Sequence, residues 1–235
     1  MNKRKLIILS VICFLSLSSF AFAKQEVNKN EKQSEVEVVS DENSVNQEEF
    51  DIKKYSKVYK GVTKDGVVMQ ALEMMKGTIA EFSYNAIMGN NLTHEKINIK
   101  YRNIAEIKPE YASFDALGWK SKGKLYIYIN EKHKNAPPEA IAALLAHEAI
   151  HQDEFASLNE ETYAWTMEAA TWMQLTDGND FATSSGSALV EREEMLKKLF
   201  IKGNYTDKYI KKAVWTNPGY ANMPSRSPGF EDEHL

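Results

Sequence analysis

The run His147-Glu148-Ala149-Ile150-His151 sets two imidazoles and one carboxylate within five residues. On a helix, histidines four apart lie one above the other with about 6 Å of rise between them, so both rings can reach a single zinc ion at about 2.0 to 2.1 Å. Glu148 then sits beside the ion rather than on it, placed to take a proton from water that the metal activates. The chemistry open to such a trio is metal-assisted hydrolysis.

A catalytic zinc ion usually takes three protein ligands and keeps one position for water, so a third ligand has to come from elsewhere. The metzincin pattern would supply a histidine six residues past the pentad, but Ser157 stands there and Glu154 replaces the glycine of that pattern. Glu160 and Glu161 are the better candidates. Ser157-Leu158-Asn159-Glu160 fits a capping box, in which the serine hydroxyl and the glutamate carboxylate satisfy N–H groups of a first helical turn. With Glu160 capping, Glu161 is left to face the metal. Ala164, one turn on, would let that helix come close, so Glu161 is preferred and Glu160 is the alternative.

These residues need a scaffold, and the patterning predicts one. Pro137-Pro138 opens a helix from about residue 139 through the pentad, since a proline at a first helical position loses no hydrogen bond. Ala140, Ala142, Ala143 and Ala146 carry no helix penalty and allow close packing. A second helix is expected over residues 158 to 175, a third over 187 to 201 and a short one over 207 to 214, with an irregular tail from Asn217. Upstream, residues 66 to 88 have helical apolar spacing up to Gly89. Ile97, Ile99 and Tyr101 alternate with polar residues as in a half-buried strand, and residues 112 to 119 and 124 to 130 flank a hairpin turn at 120 to 123. Leu125, Ile127 and Ile129 would face the core, with Tyr126 and Tyr128 outward.

Taken together, His147, Glu148, His151 and Glu161 resemble the gluzincin branch of the zincin metallopeptidases, with the short ligand interval of a minimal domain. An alanine commonly follows the ligand glutamate of that branch by three residues, as Ala164 does here; the aspartate that often comes next is replaced by Trp165. The resemblance covers residues 139 to 172 and the preceding hairpin. It implies an α+β zincin-like fold, a small, mainly antiparallel sheet packed on the active-site helix. Zn2+ would be held by His147, His151 and Glu161, with Glu148 as general base and then proton donor to the leaving amine. It also implies an edge strand that aligns a peptide by strand addition, for which residues 124 to 130 are the candidate. Tyr205, Tyr209, Tyr220 and Arg192 lie downstream with no motif selecting a transition-state donor, so packing or surface roles are expected. Glu168 reads either as a residue orienting a histidine or as polar surface. Trp165 and Trp172 read as core, Glu154 as solvated, and His94, His133 and His234 as ordinary loop or strand-end residues.

The chain has 235 residues and a formal charge of -4. Lys3, Arg4 and Lys5 precede an apolar stretch closed by Ala21-Phe22-Ala23, so residues 1 to 23 read as a signal peptide and the protein as exported, periplasmic or extracellular. Removing them takes the charge to -7 and removes Cys13, the single cysteine, which rules out disulfides. Residues 24 to 50, with three Lys against eight Asp plus Glu, read as a solvated acidic spacer or a propeptide. Residues 51 to 235 suffice for one domain. Nothing favours nucleic acid, and no stable membrane insertion is expected after cleavage. The expected function is an exported zinc-dependent peptidase acting on peptide or protein substrates. The alternatives are a non-catalytic envelope or secreted binding protein with a structural zinc, and hydrolysis of a non-peptide amide.

Overall fold

The aliphatic run from Ala140 to Ala146 decides where the centre of the molecule lies. Too apolar to face water on any side, it forms helix α4 (Pro138–Glu148), in which every residue from Glu139 to Glu148 is buried. Pro137 caps this helix and Pro138 occupies its first turn, as the sequence predicts. The computed structural model describes residues 50–90, 94–121, 123–151 and 155–227. The expectations for the signal segment, the acidic stretch up to residue 49, Glu154 and His234 lie outside them.

Before α4 come α1 (Ile52–Val58), α2 (Gly66–Met75), α3 (Glu81–Ile87) and three strands, β1 (Asn98–Arg102), β2 (Ala116–Ser121) and β3 (Lys124–Asn130). After it come α5 (Leu158–Thr176), α6 (Asp180–Thr183), α7 (Ala188–Lys202) and α8 (Lys208–Trp215). The architecture is mixed α+β, with α4 packed between α2, α5 and the sheet strand β2. On the far side of α5, Trp165, Ala169 and Ala170 join Leu196, Phe200, Ile210 and Val214 in an apolar cluster shared with α7 and α8. Among the described residues no helix is long and apolar enough to cross a membrane.

Several expectations change. The helical pattern over residues 66 to 88 is two helices, because Lys76 turns extended and Gly77 takes a φ of 68° that few side chains tolerate. Thr78 closes the corner, its hydroxyl donating to the Met75 carbonyl at 2.7 Å.

The sheet is not mainly antiparallel. Its order is β1-β3-β2, with β2 antiparallel to β3 as the hairpin requires but β1 parallel to β3. The parallel pairing follows from the connection over residues 103 to 115, whose two short 3-10 turns carry the chain back across the sheet. That connection also covers the sheet face expected to meet water. Tyr128 packs there with Ile104, Tyr111, Phe114 and Leu117 in a second small core, so its predicted outward orientation is wrong in consequence. Finally, β3 is the central strand with both edges paired, which removes residues 124 to 130 as a peptide-aligning edge.

Candidate metal centre

The site begins where α4 ends. The N–H of Ala149 donates to the Leu145 carbonyl at 3.1 Å in the helical register, but that of Ile150 donates to His147 at 2.9 Å, one residue short. The last turn therefore tightens, the helix stops at Glu148, and His151 stands just past it rather than within it. The rings still converge. Their Nε2 atoms are 3.3 Å apart and the ring planes cross at 64°.

Helix α5 brings the carboxylates. Ser157 caps it, its hydroxyl accepting from the Glu160 N–H at 3.2 Å. The reciprocal half of the predicted capping box is replaced by contacts to the site. Glu160 Oε1 accepts from His151 Nδ1 at 2.7 Å and Oε2 accepts from the Ser227 hydroxyl at 3.1 Å. Glu160 thus stands behind His151, and Glu161 faces the ring pair, 3.6 Å from His151 Nε2 and 3.8 Å from His147 Nε2. Among the described residues, His147, His151 and Glu161 form a buried group whose ligand atoms all lie within 4.8 Å of one another, close enough to hold one metal ion.

Two turns beyond Glu161 on the same helix, Glu168 Oε2 accepts from His147 Nδ1 at 2.9 Å. Of the two readings open for Glu168, the one that orients a histidine holds; the side chain has no exposed surface. Both imidazoles therefore carry hydrogen on Nδ1 toward a carboxylate and point an Nε2 lone pair at the other ring. Lone pairs facing each other across 3.3 Å beside a carboxylate repel unless a cation or proton lies among them. Glu161 Oε1 is buried and has no hydrogen-bond partner among the described residues, while Tyr220 donates its hydroxyl to Oε2 at 2.9 Å. The donor set fits a divalent cation, with nitrogen and oxygen ligands oriented from behind.

The electrostatics agree. Burial alone would lower the His151 imidazole, but the charge of Glu161 and the bond to Glu160 carry it up to about 9. A proton thus binds where a cation would, and a metal would displace it. Burial raises Glu148 to about 7 against the pull of His147 and His151. Its two carboxylate oxygens have no hydrogen-bond partner among the described residues.

Comparison with protein-family models, curated proteins and solved structures finds no match.

The site therefore rests on its own geometry, and that geometry adds residues that sequence reasoning passed over. Tyr220 is not a mere packing residue, since it grips Glu161. Arg192 is no surface residue either: its guanidinium grips Glu168 with both Nη atoms, Nη2 to Oε2 at 2.8 Å, and Nε lies 3.4 Å from Asp115. His133, expected to be an ordinary residue, is buried and bonded to Asp115 at 2.7 Å. Tyr205 and Tyr209 stay away from the site, and Trp165 and Trp172 are core as predicted. Glu168 was open to sequence reasoning as a residue orienting a histidine, and the contact to His147 bears that out. No spacing in the sequence links Arg192, Asp115, His133 or Tyr220 to the pentad.

Proposed function

We propose that this chain is an exported zinc-dependent peptidase of zincin type, with His147, His151 and Glu161 as zinc ligands and Glu148 as general base. The observation that carries the reading is Glu148 itself, a buried carboxyl next to His147 whose oxygens find no hydrogen-bond partner among the described residues. An unpartnered carboxyl beside the ligand pair is free to accept a proton, as a general base must. A bound zinc would polarise the scissile carbonyl and make water acidic enough to attack it. Glu148 would take the proton from the attacking water and pass it to the leaving amine. Glu168 and Glu160 keep the two rings in register, and Tyr220 fixes Glu161. Export rests on the run from Lys3 to Ala23 alone.

The strand that would align a peptide moves from β3 to β2, an edge strand that packs against α4. The Asn130 N–H donates to the Asp115 carbonyl, and from that register the backbone groups of Ala116, Gly118 and Lys120 point away from β3. An extended substrate added to that edge would lie alongside the helix bearing His147 and Glu148.

One observation favours a second reading. The three candidate ligands are at most 8 % exposed, as in a site that only staples a fold. A structural site, however, has no use for a general base. The test is Glu148→Gln against wild type, with zinc content measured on both and a broad peptide library as substrate. The peptidase reading expects equal zinc and a loss of turnover of about 10²-fold to 10⁴-fold. Zinc bound by the wild type with no peptide cleaved would leave the structural-zinc reading standing instead.

A further inference from the structure

The buried charges around His147 do not end at Glu168. Arg192, on α7, is 10 % exposed at its side chain and meets three carboxylates. It holds Glu168 through both terminal nitrogens, lies 3.4 Å from Asp115 through Nε and 3.6 Å from Glu193 through Nη1. The Trp165 ring lies 5.7 Å beneath the guanidinium. On the far side, Asp115 accepts from His133 Nε2 at 2.7 Å and from Lys132 Nζ at 2.8 Å. A continuous line of contacts thus runs His133, Asp115, Arg192, Glu168, His147.

The ends of this line matter. Glu168 is the partner that turns the His147 ring, and Asp115 is the residue immediately before β2, its own carbonyl bonded to the Asn130 N–H at 2.9 Å. A lysine in place of Arg192 would keep the charge but not the planar fork that fixes Glu168 at two points. Burying so many charges is expensive compared with apolar packing, so stability alone does not account for the arrangement.

We propose that Arg192 is a positioning residue for the metal site: it fixes the His147 ring through Glu168 and, through Asp115, ties that ring to the start of the edge strand β2. The proposal rests on His147 being a metal ligand. It extends the site to α7 and to the sheet.

The test uses cobalt(II) as a probe that binds sites built for zinc and reports its geometry by visible absorption. Full-length wild type, R192K and D115N are titrated with cobalt against a competing chelator, the absorption of the loaded proteins is recorded, and the melting temperature of each metal-free protein is measured. Positioning predicts that R192K weakens cobalt binding about 10- to 100-fold and alters the absorption envelope, with D115N moving both in the same direction by less. Should R192K fail to fold, D115N carries the test, since asparagine keeps the size of Asp115 and one acceptor for its neighbours. Unchanged affinity and spectrum in the folded variants, even with a lower melting temperature, would reduce Arg192 to a structural ion pair and overturn the proposal. Failure of the wild type to take up cobalt would instead sink the metal site itself, and the positioning role with it.

Discussion

Helix α5 separates two interiors that are equally dry and chemically opposite. Toward α7 and α8 it presents Trp165, Ala169 and Ala170 to Leu196, Phe200, Ile210 and Val214, a cluster of hydrocarbon whose member Tyr220 alone sends a hydroxyl across to Glu161. Toward α4 it presents Glu161 and Glu168, fully buried, each held by named donors. The difference lies in what burial asks of each side. Hydrocarbon is driven in by its area and tolerates any neighbour of the right volume. A buried carboxylate loses hydration worth several kcal/mol and persists only where a cation or hydrogen-bond donor meets it. The apolar side should therefore set stability and the charged side should set what the protein holds.

The largest break in this division is expected at Glu161. Glu161→Ala should abolish zinc retention on dialysis, measured by metal analysis, because the pair of histidines alone leaves an incomplete site. Glu160→Ala sharpens the point: it removes the acceptor that fixes His151 and should weaken zinc binding about 10- to 100-fold without abolishing it. Equal loss in both variants would mean that Glu160 binds the metal directly.

On the opposite side, Leu196→Ala removes a fully buried side chain from the apolar cluster. Urea denaturation should show a loss of about 2 to 5 kcal/mol. Zinc affinity should stay at the wild-type value. A parallel loss of affinity would show that the two interiors are one mechanical unit.

These two sides were not equally legible in the sequence. Helices α4, α5, α7 and α8 and the hairpin are readable because apolar periodicity reflects burial, and α7 starts one residue beyond its capping Ser187, as caps allow. Periodicity also misleads wherever burial is not apolar. Glu168 and Arg192 have the composition of a solvated face yet lie inside, because their charges meet each other across two helices, α5 and α7. Tyr128 read as outward because alternation in β3 cannot reveal that the loop over residues 103 to 115 folds back upon that face. The parallel pairing of β1 was hidden for the same reason. The pentad was visible since its geometry is local; its supports were not, since they are assembled only by the fold.

The charged side should also show itself through pH. The folded values of Glu148 and His151, about 7 and about 9, both lie above the ordinary 4.5 and 6.5. A raised value means that the protonated form is favoured on folding. The stabilisation from each group is complete below its ordinary value and is lost as pH rises through its folded value. The metal-free protein should therefore melt at progressively lower temperature between pH 5 and pH 9, a trend read by calorimetry, and Glu148→Gln should flatten its lower half. Saturating zinc should remove most of the slope, because the metal takes the place of the His151 proton. A slope that persists in the zinc-loaded protein would place its origin outside the site.

The smallest effect is expected at Gly118, on the edge strand β2. The register pairs Gly118 with Ile127, on the face opposite the Tyr128 cluster, and a Cβ built there meets no atom within 4 Å. The glycine itself is buried. Its backbone lies in the range any residue adopts, so Gly118→Ala should shift stability by less than about 0.5 kcal/mol. If a peptide adds to β2, the new methyl occupies space beside the backbone that receives it. KM for peptide substrates should then rise several-fold while zinc content and melting temperature stay unchanged. A variant with wild-type KM would show that the bound peptide does not border the face that carries this methyl.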